Sequence, residues 1–260
     1  MKSRDNVTLY KYLDAQGGLK MLSNSNLQLT NATRLNDPFD CHPSLIDFSQ
    51  VPAERSKWWG KEAIMSLESN RYERLRDNVW LCSLSKIYDS LLMWSYYGNH
   101  KGVCIGLNIE KTNKYLSQII CANYIGAMEL EVQYKDIIEK PDYYRDAKDY
   151  FHYQLASKAK AWEHEQEVRL VLIEPIHGFT PMALPFTPKD ENELVEWKDV
   201  RAYPTIGGEC FESLYMGLKI DEKEKKKLIK VARELNPEIK IYQITIDPEA
   251  FRLKEEIIES

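Results

Sequence analysis

Three separated segments of the chain carry side chains whose types and spacing suit chemistry. They are Tyr10-Lys11-Tyr12, Cys82-Ser83-Leu84-Ser85, and Trp162 to Glu167 followed by Arg169. If residues 163–169 are extended, side chains alternate, and Glu163, Glu165, Glu167 and Arg169 point the same way. Carboxylates crowded on one face repel one another unless a cation or ligand sits among them, so this reading predicts a raised pKa for one of them. The plainer alternatives are an exposed helix end or a structural pair between Glu167 and Arg169. Ser83 and Ser85 share a strand face, opposite Cys82 and Leu84. A hydroxyl in an apolar strand must find a partner, either backbone or ligand. Lys11 is either a cation aimed at phosphate or carboxylate, or an outward charge guarding an edge strand. A fourth segment, MWSYYGNHKG at 93–102, crowds Trp94, Tyr96, Tyr97 and His100 near Lys101. Aromatics with polar tips suit either a ligand wall or core packing.

Several strong signatures are missing. The chain has no GxxxxGK[ST] loop, no GxGxxG and no GxSxG. His164-Glu165 begins like a zinc-protease helix, but the position for the second histidine is Val168. No CxxC pair exists, and no metal ligand set is expected. Cys41 and His42 are adjacent, which is not the geometry of a nucleophile and its base. The basic run from Lys223 to Lys230 is interleaved with Glu222 and Glu224 and reads as a solvated helix face. With 260 residues, 43% hydrophobic and 29% charged, the chain can bury a sizeable core and is neither disordered nor fibrous. A net charge of −5 lacks the global field that favours nucleic acid. No apolar run approaches the ~18 residues that span a bilayer, and the start lacks an apolar segment of signal length, so no membrane partner is expected. The five cysteines, Cys41, Cys82, Cys104, Cys121 and Cys210, are widely spaced and read as reduced, buried thiols of a cytoplasmic protein.

The elements that must position these groups follow from periodicity. Residues 7–12, 26–30, 79–85, 102–108, 128–134, 167–173, 213–220 and 239–247 read as strands. Residues 14–22, 52–76, 89–98, 142–161 and 221–236 read as helices. Asp89 is the expected cap and Gly98 the expected end of the third. Trp58, Ile64, Met65, Leu67 and Leu75 supply the apolar faces of the second. The proline-rich stretch at 175–188 is expected to be a surface excursion. Both kinds of element occur without a βαβ rhythm. The expectation is a single α+β domain over 1–260, with mixed, largely antiparallel sheets and flanking helices.

LYKY at 9–12, LNDPFD at 35–40, WLCSLS at 80–85, MWSYYGNHKGVCIGLN at 93–108, VQYKD at 132–136 and WEHEQEVRLV at 162–171 occur in one order, followed by LYMGLKI and IKIYQITID. Together they closely resemble the bacterial domain-of-unknown-function 2971 family over about residues 8–253, with WEHEQEVRLV the strongest block. That resemblance brings no assigned activity.

A second resemblance is to ADP-ribosyltransferases of the Arg–Ser–Glu type, with a basic residue on the first strand, a Ser-x-Ser/Thr strand and a later Glu-x-Glu. It implies an ADP-ribosyltransferase-like cleft with NAD as substrate, in a bacterial toxin or defence effector. Lys11, Ser83 and Ser85 would place the dinucleotide and Tyr96 or Tyr97 would stack on nicotinamide. Glu167 would stabilise the charge that builds on the ribose, and Glu165 would orient or deprotonate the acceptor, a protein or nucleic acid left unspecified. Lysine at position 11 departs from the pattern, because an ammonium is a point charge rather than a bidentate fork. This reading expects Glu167→Ala to abolish NAD cleavage and leave the fold intact. Two alternatives stay open. One is a non-catalytic ligand- or protein-binding module with Glu165, Glu167 and Arg169 as structural ion pairs. The other is a metal-dependent nucleic-acid-processing enzyme using Asp37, Asp40 and Glu167 with Mg²⁺.

Overall fold

The computed structural model describes residues 7–123, 126–146, 149–173, 195–198 and 201–258. In chain order the elements are β1 (Thr8–Leu13), α1 (Ala15–Asn24), β2 (Leu29–Asn31), α2 (Ala53–Ser56), α3 (Lys61–Arg76), β3 (Val79–Ser85), α4 (Leu91–Gly98), β4 (Val103–Asn108), α5 (Ile109–Asn123) and β5 (Gly126–Glu131). They continue with β6 (Gln133–Lys135), α6 (Tyr150–Ala156), β7 (Ser157–Ala159), β8 (Glu167–Ile173), β9 (Val195–Lys198), β10 (Arg201–Pro204), β11 (Phe211–Met216), α7 (Glu222–Leu235), β12 (Lys240–Ile246) and β13 (Leu253–Ile257). Short 3-10 turns cover Ala32–Arg34 and Lys160–Glu165. The protein is α+β, with a mixed and mostly antiparallel sheet flanked by helices.

Among the described residues, 11 strands share one sheet, in the order β13-β12-β11-β4-β1-β3-β2-β10-β9, with β8 also on β3 and β5 on β8. Only β11 and β12 run parallel within it. The strand VWLCSLS is buried on both faces because it lies at the centre. Its arrangement creates the site. A strand has two hydrogen-bonding edges. β8 occupies one edge of β3 from Val79 to Ser85. The other edge is shared: β1 touches it at Tyr10↔Ser85, and β2 touches it at Thr30↔Leu81 and Asn31↔Trp80. Between those contacts, residues 82–84 have no strand partner on that edge among the described residues. The sheet therefore forks, with one arm beginning at β1 and the other at β2.

The two faces carry separate cores. Leu9, Cys82, Leu84, Ile105, Leu107 and Leu170 pack with α1, α5 and α7 on one side. Tyr12, Met93, Trp94, Cys104 and Tyr215 form an aromatic cluster elsewhere, with Tyr10 and Tyr97 against it. The alternation of β1 divides its residues accordingly, Leu9 and Leu13 from Tyr10 and Tyr12.

Several expected elements are redrawn. The helix expected over 52–76 is two helices, broken at Gly60 with φ +74. Trp58 is 83% exposed and Leu67 is exposed, so neither supplies an apolar packing face. Ser90, not Asp89, caps α4, accepting from Met93 N, while the helix ends at Gly98 as expected, followed by left-handed Asn99. The strand expected over 128–134 is β5 followed by β6. The helix expected over 142–161 shrinks to α6, because the chain extends into β7 and pairs in parallel with β6. α5, β9, β10 and β13 lay outside the expected set. Residues 175–188 lie outside the described residues. Cys41, Cys82, Cys104 and Cys210 are free and buried; the Cys121 side chain lies outside the description. Among the described residues, no helix is long and apolar enough to cross a membrane.

One glycine holds the fork's first arm in place. Gly102 lies between α4 and β4, and a Cβ there would stand 2.1 Å from the Leu13 carbonyl oxygen and 3.0 Å from Gly98 Cα. Both obstacles are backbone. Gly102→Ala is expected to destabilise the fold by about 1–3 kcal/mol, in the range of overpacked sites. Urea unfolding measures this, and an unchanged midpoint would show that the contact is soft.

Candidate active site at the sheet fork

A cleft of about 350 Å³ opens at the fork. Lys11, Ser83, Ser85, Tyr97, Glu165 and Glu167 all line it, together with Asp40 and Lys158. A larger hollow of about 700 Å³ lies beside α5 and β5. Its walls include Leu9, Ile109 and Val168, and its rim charges Lys86 and Glu131 pair with each other. Convergent polar groups mark the smaller cleft as the functional candidate.

The floor is a buried charge cluster. Arg169 is fully buried on β8. Its Nε donates to Glu167 Oε1 at 2.8 Å, and Nη2 donates to Glu167 Oε2 at 3.1 Å and to Asp40 Oδ2 at 2.7 Å. Nη1 donates to Asp40 Oδ1 at 2.8 Å and to the Leu155 carbonyl at 2.7 Å. Lys158, from β7, donates to Glu167 Oε2 at 2.9 Å and to Glu165 Oε2, and stands 3.8 Å from Asp40 Oδ2. Its ammonium also lies 5.2 Å from the Trp162 ring centre, within cation–π range. Three carboxylates thus face two cations, leaving one formal negative charge.

Glu165 and Glu167 do meet, but not through strand alternation. Glu165 ends a 3-10 turn, Gln166 is left-handed with φ 43, and β8 begins at Glu167. The turn leaves Glu163 exposed and away from the cluster. The expected raised carboxylate pKa is also corrected. Burial pushes Glu167 up, but Arg169 and Lys158 more than reverse it and hold Glu167 well below the usual carboxylate range. For Lys158, burial pulls down and Glu167, Glu165 and Asp40 outweigh it, so the ammonium is held charged.

The two glutamates differ in what they have left to offer. A carboxylate has about four acceptor positions. Both glutamates are buried; Glu167 accepts from Arg169 twice, from Lys158 and from the Ser83 hydroxyl. Glu165 accepts from Lys158 and from the Tyr97 hydroxyl at 2.5 Å, which leaves capacity on both oxygens. Burial and then Glu165 raise Tyr97, so it remains a phenol and a donor. Tyr134 receives Glu167 N–H at 2.8 Å and is pushed up to about 12, chiefly by burial.

The remaining expected residues divide. Lys11 reaches the cleft, and its ammonium donates to the Ser83 carbonyl at 3.0 Å. It thereby satisfies an acceptor that the fork leaves without a strand partner. Ser85 lines the cleft, but its hydroxyl donates to the Glu165 carbonyl at 2.7 Å and accepts from Ile87 N. It fixes the turn rather than facing a ligand. Tyr96 is not part of the cleft. It is 64% exposed on the outer face of α4, 5.7 Å from the His164 ring. Trp94 belongs to the core, with Nε1 donating to the Tyr88 carbonyl at 2.7 Å. Asp37 lies outside the cleft lining and caps its own loop through Phe39 N. Cys41 is buried against Asp40 and Arg169, and burial pushes its thiol far up, away from the thiolate a nucleophile needs.

A metal reading finds the place between the carboxylates filled by the Lys158 ammonium. Among the described residues, no group of three or more His, Cys, Asp or Glu is arranged to hold a metal ion. Sequence reasoning missed Lys158 and the Arg169–Asp40 pair. The signal available was an invitation rather than a motif: several carboxylates in one segment require cations from elsewhere.

The cluster makes stability depend on pH in a definite direction. Glu167 is depressed in the folded state, so its contribution is present above about pH 4.5 and is lost as pH falls below that ordinary value. Lys158 is raised above its ordinary 10.5, so its contribution is full below that pH and is lost as pH rises beyond it. Urea midpoints measured between pH 3 and 7 are expected to fall below about pH 4.5, and Glu167→Gln is expected to flatten that limb. Arg169→Met leaves Asp40 and Glu167 short of a cation and is expected to cost about 3–5 kcal/mol. A loss below about 1 kcal/mol would mean that water, not Arg169, satisfies them.

A search of curated proteins finds no match, and a search of solved structures finds none either. Residues 93–170 match the family model described as Protein of unknown function (DUF2971). That span runs from α4 into β8 and contains Tyr97, Lys158, Glu165, Glu167 and Arg169, and over this segment the chain is similar to that family.

Proposed function

We propose that the fork cleft binds NAD and that the protein is an ADP-ribosyltransferase-like enzyme. One observation carries the reading: Lys11, Ser83, Tyr97, Glu165 and Glu167, drawn from five separate elements, line a single cleft. The chemistry is coherent with those groups. The bond between ribose C1′ and the nicotinamide nitrogen breaks, its electron pair stays on that nitrogen, and nicotinamide leaves neutral. The acceptor gives an electron pair to C1′ and loses a proton. Positive charge builds on the ribose before the new bond forms. The cluster's residual negative charge lies where it would stabilise that state, in surroundings shielded from water.

The hydrogen-bond inventory shifts the roles first expected. Glu167 has its acceptor positions filled and acts as the anchor of the cluster. Glu165 retains free acceptor capacity and is the group to bind a ribose hydroxyl or take the acceptor's proton. Tyr97, a phenol at the cleft wall, holds Glu165 in place and offers its ring beside it. Glu167→Ala is therefore not a clean test, since it would leave Lys158 and Arg169 short of a counter-charge inside the protein.

A second reading is favoured by the same saturation of Glu167: a binding module that holds the dinucleotide without cleaving it. Calorimetry with NAD and an assay of nicotinamide release separate the two. The enzyme reading expects binding and release, with Glu165→Gln cutting release by about 10²–10³-fold and Tyr97→Phe by less, at unchanged melting temperature. Binding without release selects the module. Neither binding nor release would sink NAD as the ligand.

A further inference from the structure

Two arginines at the cleft mouth were not among the residues singled out by sequence. Arg34 ends the 3-10 turn that follows β2, and Arg201 opens β10. Both line the cleft. Their placement is built in. Asn31 caps the turn by accepting from Thr33 N at 3.0 Å, and its amide donates to the Asp77 carbonyl at 2.6 Å, which fixes where Arg34 emerges. Arg201 lies in register with Thr30 and donates to its hydroxyl, which turns the guanidinium along the β2 arm.

Among the described residues, their charges are uncompensated: neither Arg34 nor Arg201 has a carboxylate partner there, whereas Arg169 and Lys158 below them are fully paired. The aspartates that line the same cleft do not answer this. Asp14, also at the mouth, accepts from Gly17 N at 2.5 Å as the cap of α1, and Asp40 is held by Arg169. Lys11, on the opposite arm, adds a third cation, with one donor spent on the Ser83 carbonyl. The cleft is therefore bipolar, negative at its floor and positive at its mouth.

We propose that Arg34 and Arg201 form a phosphate clamp, and that the cleft takes a ligand carrying a pyrophosphate. A guanidinium presents a planar fork that matches two phosphate oxygens, which the Lys11 ammonium does not. The clamp would replace the arginine that the first strand lacks, with the fork supplied by the β2 arm instead. This rests on the proposed function for the identity of the dinucleotide, but not for the clamp itself, which concerns any pyrophosphate ligand.

The test is calorimetry of the full chain with inorganic pyrophosphate, ADP, NAD and nicotinamide riboside, which lacks phosphate. Wild type is compared with Arg34→Lys/Arg201→Lys, which keeps charge, and Arg34→Ala/Arg201→Ala. The alanine pair is expected to weaken ADP, NAD and pyrophosphate at least tenfold, about 1.4 kcal/mol. The lysine pair is expected to fall between, with nicotinamide riboside unaffected by either. Arginine-dependent binding of ADP and pyrophosphate with no NAD cleavage upholds the clamp and removes the transferase. NAD cleavage with affinities unchanged in the alanine pair overturns the clamp and leaves the transferase. If wild type binds none of the phosphate ligands, both fall. A thermal melt of each variant identifies any that fails to fold, and the lysine pair then carries the comparison.

Discussion

The buried guanidinium of Arg169 is the constraint around which the site is organised. An uncompensated charge in the interior costs several kcal/mol, and Arg169 has no contact with solvent. Three parts of the chain meet that demand: Asp40 from the loop after β2, Glu167 from its own strand, and the Leu155 carbonyl at the end of α6. Because a guanidinium is planar and its donors are fixed, these groups are held in register as well as in charge. The LNDPFD loop is thus part of the floor for an electrostatic reason. Its Asp40 carboxylate receives both terminal nitrogens of one arginine.

The second constraint is topological. One edge of β3 serves two arms of the sheet, so a gap between them is unavoidable. A gap in a sheet leaves backbone groups that require partners, and Lys11 provides one for the Ser83 carbonyl. The cleft follows from this arrangement. Its floor is the charge cluster carried by β7, β8, the Lys160–Glu165 turn and the loop after β2, and Tyr97 of α4 lines its wall. Rigid elements hold every group the proposed chemistry uses, as preorganised electrostatics requires.

The strands that carry the site were legible because burial writes itself into sequence. VWLCSLS and EVRLVLI are β-prone runs buried on both faces, and both strands fall where periodicity placed them. The cleft cluster was partly legible as well: Lys11, Ser83 and Glu167 reach one cleft. What remained hidden depends on pairs distant in sequence. Lys158 lay inside a segment that read as helix, because its strand forms only through pairing with β6. Arg34 and Arg201 carry no local pattern. Glu165 and Glu167 came together by a 3-10 turn and a left-handed Gln166, a backbone route that side-chain alternation does not describe. Tyr96 and Tyr97 are adjacent on one helix, so only one of them could face the cleft, and the sequence does not say which.

Two glutamates separated by one residue end with different chemistry, and the difference limits what the cleft can hold. Glu167 spends its acceptor capacity on Arg169, Lys158 and Ser83, and so turns a repulsive cluster into a stable one. Glu165, held by one ammonium and one phenol, keeps capacity for a ligand hydroxyl. Above them the charge changes sign. A uniformly anionic polymer would meet attraction at the mouth and repulsion at the floor. A ligand with phosphates at one end and hydroxyls beside a cationic or cation-forming centre at the other meets complementary charge throughout. A pyridinium dinucleotide has that division of charge, and the proposed reaction develops further positive charge at the end nearest the floor. The same polarity that would select such a ligand would therefore also favour its cleavage, so recognition and rate rest on one electrostatic arrangement.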